Sequence, residues 1–282
     1  RVWREACPTR LISLDKQIQQ MEIETCGEKI TLLADVFVDA TGSAQVVRMV
    51  DQAKVTDGDA LAGLIFQIRK VAKDALLFPK NIGLRRALNH AVDEKALPRA
   101  FANTWFDAGV YTDEVYAKLN FSAQLYNSAD VAMLQERLIT FLKGLPDFAE
   151  AVVHRVGNLG VRDGGSIRGD YTLTTADVKN GHRFSDAVAR CAWPIEYWDA
   201  HKGITLDYLS PQQFYEIPLR SLRVAEVDNL WAVGKCLSAE KLAQASARVV
   251  GTCWAMGDAL GKAITQLPLA QTIPVTSLEE RN

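Results

Sequence analysis

Two short apolar runs, each stopping on a glycine, constrain this chain more than any other feature. One is Ala34-Asp35-Val36-Phe37-Val38-Asp39-Ala40-Thr41-Gly42, and the other, far along the sequence, is Asn229-Leu230-Trp231-Ala232-Val233-Gly234. Both read as β-strands that end on a residue tolerant of unusual backbone angles. In open α/β sheets, ligands bind at the carboxyl ends of strands, and a glycine at the exit lets the backbone pass close to a nucleotide. A helix after the second exit would present unpaired N–H groups and the positive end of its dipole, which suit a phosphate. Taken one at a time, each glycine reads more readily as a plain strand end.

The text around these runs is punctuated clearly enough to divide. Leu11-Ile12-Ser13-Leu14 and Met21-Glu22-Ile23-Glu24-Thr25 predict two antiparallel strands, with a turn at Gly27-Glu28-Lys29 leading into the Ile30 to Val38 run. Residues 48–59 read as loop, and residues 61–68 as a strand. Residues 83–150 read as mostly helical, most clearly over 130–142, where Val131, Leu134, Leu138, Phe141 and Leu142 share a face. Asp130 is the expected cap, and Gly144 with Pro146 the stop. A Gly-rich turn over 157–165 precedes a short strand and a helix start at Thr174-Thr175-Ala176-Asp177. Aromatic-rich text over 193–215 reads as irregular loops, with Tyr215 to Pro218 strand-like. A helical stretch from about Ser238 and a longer helix from about Ala245 to Gln266 follow the second glycine exit. One stripe of that helix is apolar (Val249, Cys253, Met256, Leu260, Ile264), and another is small (Gly251, Ala255, Ala259).

Composition excludes several classes. The chain has 282 residues, 48% of them hydrophobic and 23% charged, with a net charge of −2. It is long enough for one large domain or two smaller ones with real cores. No basic run suggests nucleic acid, and no apolar stretch approaches bilayer length. Five cysteines lack any C-x-x-C pair, so a reducing cytoplasm is expected rather than a disulfide framework. Four dispersed histidines show no metal-ligand spacing.

Five segments together carry a resemblance. Val38-Asp39-Ala40-Thr41-Gly42 resembles the "VDATG" element of FAD-dependent oxidoreductases of the fumarate reductase-like flavoprotein superfamily. Gly169-Asp170-Tyr171-Thr172-Leu173-Thr174 is similar to that group's "G-x-Y-x-L-T", and Tyr215 to Leu222 to its "y-x-IP-y-r-s-L". The run from Asp228 to Ala239 resembles "dNLlvaGrciSa". Ala245 to Val249 and Gly257 to Gly261 complete the order. The resemblance implies an α/β fold in which an FAD-binding, Rossmann-like domain is built from residues 1–50 and 215–282. A mixed α+β substrate or cap domain is inserted over 51–214. It implies FAD as cofactor, with Thr41, Gly42, Gly234, Ser238, Arg248 and Gly257 near it, and the final helix aimed at the flavin ring. A positive helix end or an arginine there would stabilise the negative charge of reduced flavin. Two departures stand out. Arg162-Asp163-Gly164-Gly165-Ser166-Ile167-Arg168 replaces an arginine-rich "R-E-S-R-R" turn. No G-x-G-x-x-G occurs, so the chain is expected to begin after the loop that cradles the pyrophosphate.

The expected reaction is hydride transfer between a small-molecule substrate and flavin. The alternative is a non-catalytic module that cannot hold FAD alone. Candidate acid, base or substrate-binding groups lie in or beside the aromatic stretch. His201 sits in loop-like text, where it can serve as acid/base or be a surface histidine. Arg220 can clamp a carboxylate or form a structural ion pair. Glu196, among Trp193, Tyr197 and Trp198, is either a desolvated acid or a hydrogen-bonded structural carboxylate. Cys236 and Cys253 read as packing residues rather than redox thiols. The Arg168-Gly169-Asp170 tripeptide reads as chance.

Overall fold

A computed structural model describes residues 2–58, 61–122, 125–199 and 203–266. The chain divides into two compact units: residues 1–58, 163–197 and 206–282 form the first, and residues 59–162 and 198–205 the second. The second unit is thus bounded at residues 59 and 162, with residues 198–205 added. Residues 163–197 belong with the first unit, in part because Ala187–Cys191 pairs with Tyr215–Pro218 there.

The first unit opens with an antiparallel sheet of β1 (Ala6–Leu14), β2 (Gln17–Thr25) and β3 (Glu28–Leu32). The expected apolar run from Ile30 to Val38 is split. β3 ends at Leu32, and a separate strand, β4 (Phe37–Asp39), follows after a bend. Residues 48–59, expected as loop, instead continue a short helix, α1 (Gln45–Val50), and include β5 (Val55–Thr56). The cause is Asp39, whose carboxylate reaches forward to bind the first N–H groups of α1, a capping role that local text does not reveal.

The second unit is built on a five-stranded antiparallel sheet. β6 (Leu61–Arg69) pairs with β8 (Val115–Ser122), which pairs with β7 (Trp105–Ala108). β9 (Val152–Val156) and β10 (Gly160–Val161) both pair with β6. Period-two alternation sends Leu64, Phe66 and Ile68 of β6 and Val115, Ala117, Leu119 and Phe121 of β8 into one core. α2 (Lys80–Asp93) contributes Leu84 and Leu88, and α3 (Val131–Lys143) contributes Leu134, Leu138 and Leu142. The expectation of a mostly helical 83–150 is thus corrected at β7 and β8. The cap before α3 is corrected as well. Asn127 Oδ1 accepts from Ala129 N at 2.8 Å, and Asp130 Oδ2 accepts from Asn127 N at 2.8 Å, closing a capping box one turn earlier.

Returning to the first unit, β11 (Ser166–Ile167) pairs with β5. α4 (Thr175–Asn180) starts where expected, with Thr174 Oγ1 accepting from Asp177 N while Asp177 Oδ2 accepts from Thr174 N. Thr174→Ala is expected to destabilise the protein by ~1 kcal/mol in urea denaturation. β12 (Ala187–Cys191) leads into the aromatic stretch, which is not irregular: it holds β13 (Ile195–Asp199) and β14 (Gly203–Asp207). β15 (Tyr215–Pro218) is buried throughout. β16 (Leu230–Ala232) pairs in parallel with β4, Leu230 opposite Phe37 and Ala232 opposite Asp39. The final helical text is broken. α5 (Lys241–Ala247) and α6 (Val250–Ile264) are separated at Arg248 and Val249, where Val249 is extended with φ −68° and ψ 148°. Met256 and Leu260 of the expected apolar stripe are buried.

Candidate functional site

The parallel ladder of β4 and β16 brings the two glycine exits side by side. Val233 N continues the ladder by donating to Asp39 O at 3.0 Å. Gly42 has φ +72° and Gly234 φ +73°, angles that a side chain disfavours, so each exit demands glycine. A Cβ on Gly42 would lie 3.4 Å from Lys235 Cε, which places the Lys235 stem across the first exit.

Asp39 holds the first exit in shape. Its side chain is buried, Oδ1 accepting from Thr41 N at 3.0 Å and Thr41 Oγ1 at 2.7 Å. Oδ2 accepts from Val46 N at 2.8 Å and Val47 N at 3.1 Å. Thr41 Oγ1 also accepts from Gln45 N at 3.0 Å. The Asp-Ala-Thr-Gly text is therefore first a self-bonded turn, with the Thr41 hydroxyl engaged inside it.

Cys236 is buried behind the second exit, and its Sγ accepts from Ala44 N at 3.2 Å. Burial, followed by the charge of Asp39, pushes its thiol up to about 11. It stays a protonated packing group, as expected. The other sequence-predicted residues divide. Arg248 sits at the break before α6, and its Nη2 donates to Glu196 O at 3.3 Å. Burial depresses its guanidinium below the ordinary value, opposed by Glu196 and Asp163. Glu196 Oε2 accepts from Trp193 Nε1 at 3.2 Å. Glu196 and Arg248 thus meet beside α6.

Ser238 is buried. Its Oγ lies 3.1 Å from Thr172 Oγ1, and its N–H donates to Ser221 O at 2.8 Å. Arg220 forms an ion pair with Asp186 at 3.2 Å and stacks on Tyr171. Gly257 lies exposed along α6, with no atom within 4 Å of an added Cβ. His201 lies outside the described residues.

Sequence reasoning missed Lys235 and Asp163. Lys235 follows Gly234 directly, and Asp163 lies in the Gly-rich turn; both positions were in view, but no spacing rule links them. Burial depresses the Lys235 ammonium; Cys236 opposes that effect, Arg248 adds to it, and Asp163 opposes it more weakly. An open cleft of about 750 Å³ lies in the second unit. Its lining includes Leu97, Arg99, Met133 and Arg137, and none of the predicted site residues.

A family model described as FAD dependent oxidoreductase matches residues 1–278. The chain belongs to the FAD-dependent oxidoreductase family, whose cofactor is FAD. Solved structures similar to it include a geranylgeranyl bacteriochlorophyll reductase-like protein from Thermoplasma acidophilum. That likeness has 11% identity and a TM-score of 0.40, covering 93% of this chain and 50% of the other. The flavin-dependent brominase Bmp2 is similar at 11% identity and TM-score 0.39, covering 95% and 52%. OxyS anhydrotetracycline hydroxylase from Streptomyces rimosus is similar at 14% identity and TM-score 0.35, covering 61% and 31%. The chain thus spans about half the length of the first two. No curated protein matches it. Among the described residues, no helix is long and apolar enough to cross a membrane.

Proposed function

We propose that this chain contributes the flavin-facing part of an enzyme that transfers a hydride between a small-molecule substrate and FAD. The first unit is the Rossmann-like, FAD-binding part, and the second is the inserted substrate or cap domain. The parallel pairing of β4 with β16 carries the reading, because it sets Gly42 and Gly234 at neighbouring strand exits.

The residues present fit the cofactor. Bare Cα atoms at both exits permit close approach, the Thr41–Gly42 turn is held rigid by Asp39, and Val249, which precedes α6, offers no side-chain cap to its N-terminus. Gly42, Gly234 and the Thr41 backbone would hold the ribityl–phosphate part, and Arg248 with the α6 N-terminus would face the ring. FAD supplies the hydride chemistry when bound. The protein's share is to orient the cofactor and set the charge beside it. Arg248 does this as a partly buried cation, with Glu196 beside it pinned by Trp193. Arg220 and Ser238 support the surrounding structure, and His201 remains a candidate acid/base. Five free thiols fit a reducing, cytoplasmic setting.

The test is gel filtration of the purified chain with added FAD, followed by its visible spectrum. Flavin is expected to co-elute with protein and to be released by Gly234→Val, whose side chain would occupy the second exit. A folded chain from which all flavin elutes free would overturn the proposal.

A further inference from the structure

The turn that departs from the family's arginine-rich text forms a third wall of this junction. Gly165 packs so tightly on the first exit that an added Cβ would lie 3.0 Å from the carbonyl carbon of Ser43. On the other side, Gln244 is buried and donates from Nε2 to Lys235 O at 2.6 Å and, more distantly, to Gly164 O at 3.4 Å. Ser166 Oγ donates to Leu237 O at 2.9 Å and accepts from Ala239 N at 3.2 Å. The Asp163-Gly164-Gly165-Ser166 segment is thereby fixed to both exits at once.

On this fixed turn, the Asp163 side chain lies against Gly58, where an added Cβ would fall 2.7 Å from Asp163 Cγ. Its Oδ1 is shielded from water and has no hydrogen-bond partner among the described residues. A shielded carboxylate oxygen without a donor is costly, and such an exception calls for an explanation. The same carboxylate acts electrostatically on both Lys235 and Arg248, opposing the effect of burial on each. Glu196 is the second carboxylate acting on Arg248. The cluster therefore brings side chains of both signs together, Lys235 and Arg248 with Asp163 and Glu196.

We propose that Asp163, Lys235 and Arg248 form a mixed-charge ligand site beside Gly42, in which Asp163 accepts from a ligand O–H or N–H and the two cations donate to its oxygens. The ligand group is uncharged and carries both donors and acceptors, as a polyol chain or an imide edge does. A free oxyanion is disfavoured because it would face the Asp163 carboxylate. FAD carries both groups, in its ribityl hydroxyls and its ring imide, so the inference deepens the proposed function and rests on it. A polyhydroxylated substrate is the other source of the same chemistry.

Protection of the Lys235 amine from acetic anhydride, read by peptide mass spectrometry, tests the site. FAD, ribitol, uracil and inorganic pyrophosphate serve as separate probes on wild type and Asp163→Asn. In ligand-free protein, Asp163→Asn is expected to speed acylation of Lys235 several-fold, since the amine loses its counter-charge. FAD is expected to protect wild-type Lys235, and Asp163→Asn to weaken that protection by about tenfold in FAD concentration. Lys235→Arg, which keeps a donor cation, is expected to retain FAD affinity by fluorescence titration. Protection by ribitol or uracil but not by FAD would keep the site and remove the flavin reading. Unchanged protection in Asp163→Asn would overturn the site while leaving FAD binding intact. So would pyrophosphate protection that Asp163→Asn strengthens, which would mark an oxyanion site. No protection by any probe overturns the site outright.

Discussion

Asp39→Ala is expected to destabilise the protein by ~3–5 kcal/mol, because it removes four hydrogen bonds to one buried carboxylate. The loss is concentrated. Val46 N and Val47 N become unsatisfied at the start of α1, and Thr41 N and Oγ1 lose the acceptor that closes the turn. Hydrogen bonds to an ionised group are individually stronger than neutral ones, so the effect exceeds that of an ordinary cap. Asp39→Asn is expected to fall between wild type and alanine, since one carbonyl oxygen remains while the amide NH2 faces donors. Urea denaturation checks both, with the midpoint falling and the slope unchanged. A loss below ~1 kcal/mol for alanine would show that water replaces the carboxylate, contrary to its burial.

Gly169→Val is expected to cost ~3 kcal/mol, the upper end of overpacking effects. A Cβ at Gly169 would lie 2.7 Å from Ser238 Cβ, 3.1 Å from Arg223 O and 3.2 Å from Arg220 O. Two of those neighbours are backbone and cannot step aside by changing rotamer. Leu173 N donates to Ser238 O at 2.9 Å, so the glycine and the serine approach along one bonded seam. Gly169 of the "G-x-Y-x-L-T" text and Ser238 of the second glycine-exit text are therefore matched to each other. Ser238→Gly is expected to recover part of the loss in Gly169→Val, with a coupling of about 1 kcal/mol in a double-mutant cycle. Strictly additive losses would contradict that matching.

These two positions show why motif text and site residues are different things. Asp39 and Gly169 stand in the most recognisable segments, yet both act on the protein itself. The resemblance drew attention to Ser238 and Arg220, and the structure engages Ser238 with Thr172 and Arg220 with Asp186. Asp163 and Lys235 carried no pattern of their own. They lie at this junction because the turn at 163–166 is pinned to both strand exits through Gly165, Ser166 and Gln244.

What the sequence determined by itself is local and periodic. The alternation over Leu61 to Ile68 produced β6, the helical spacing of Leu134, Leu138 and Leu142 produced α3, and Thr174 with Asp177 marked the start of α4. The same alternation at Val115, Ala117, Leu119 and Phe121 was available for β8, but short strands among helical text are hidden when a long stretch is read as one class. The tertiary structure alone decided that β4 and β16 lie in parallel, that Asp39 caps α1, and that Asp163 acts on Lys235 and Arg248. The physical reason is range. Periodicity reports which face of an element avoids water, whereas pairing, capping at a distance and charge balance depend on close packing between segments that no local pattern connects.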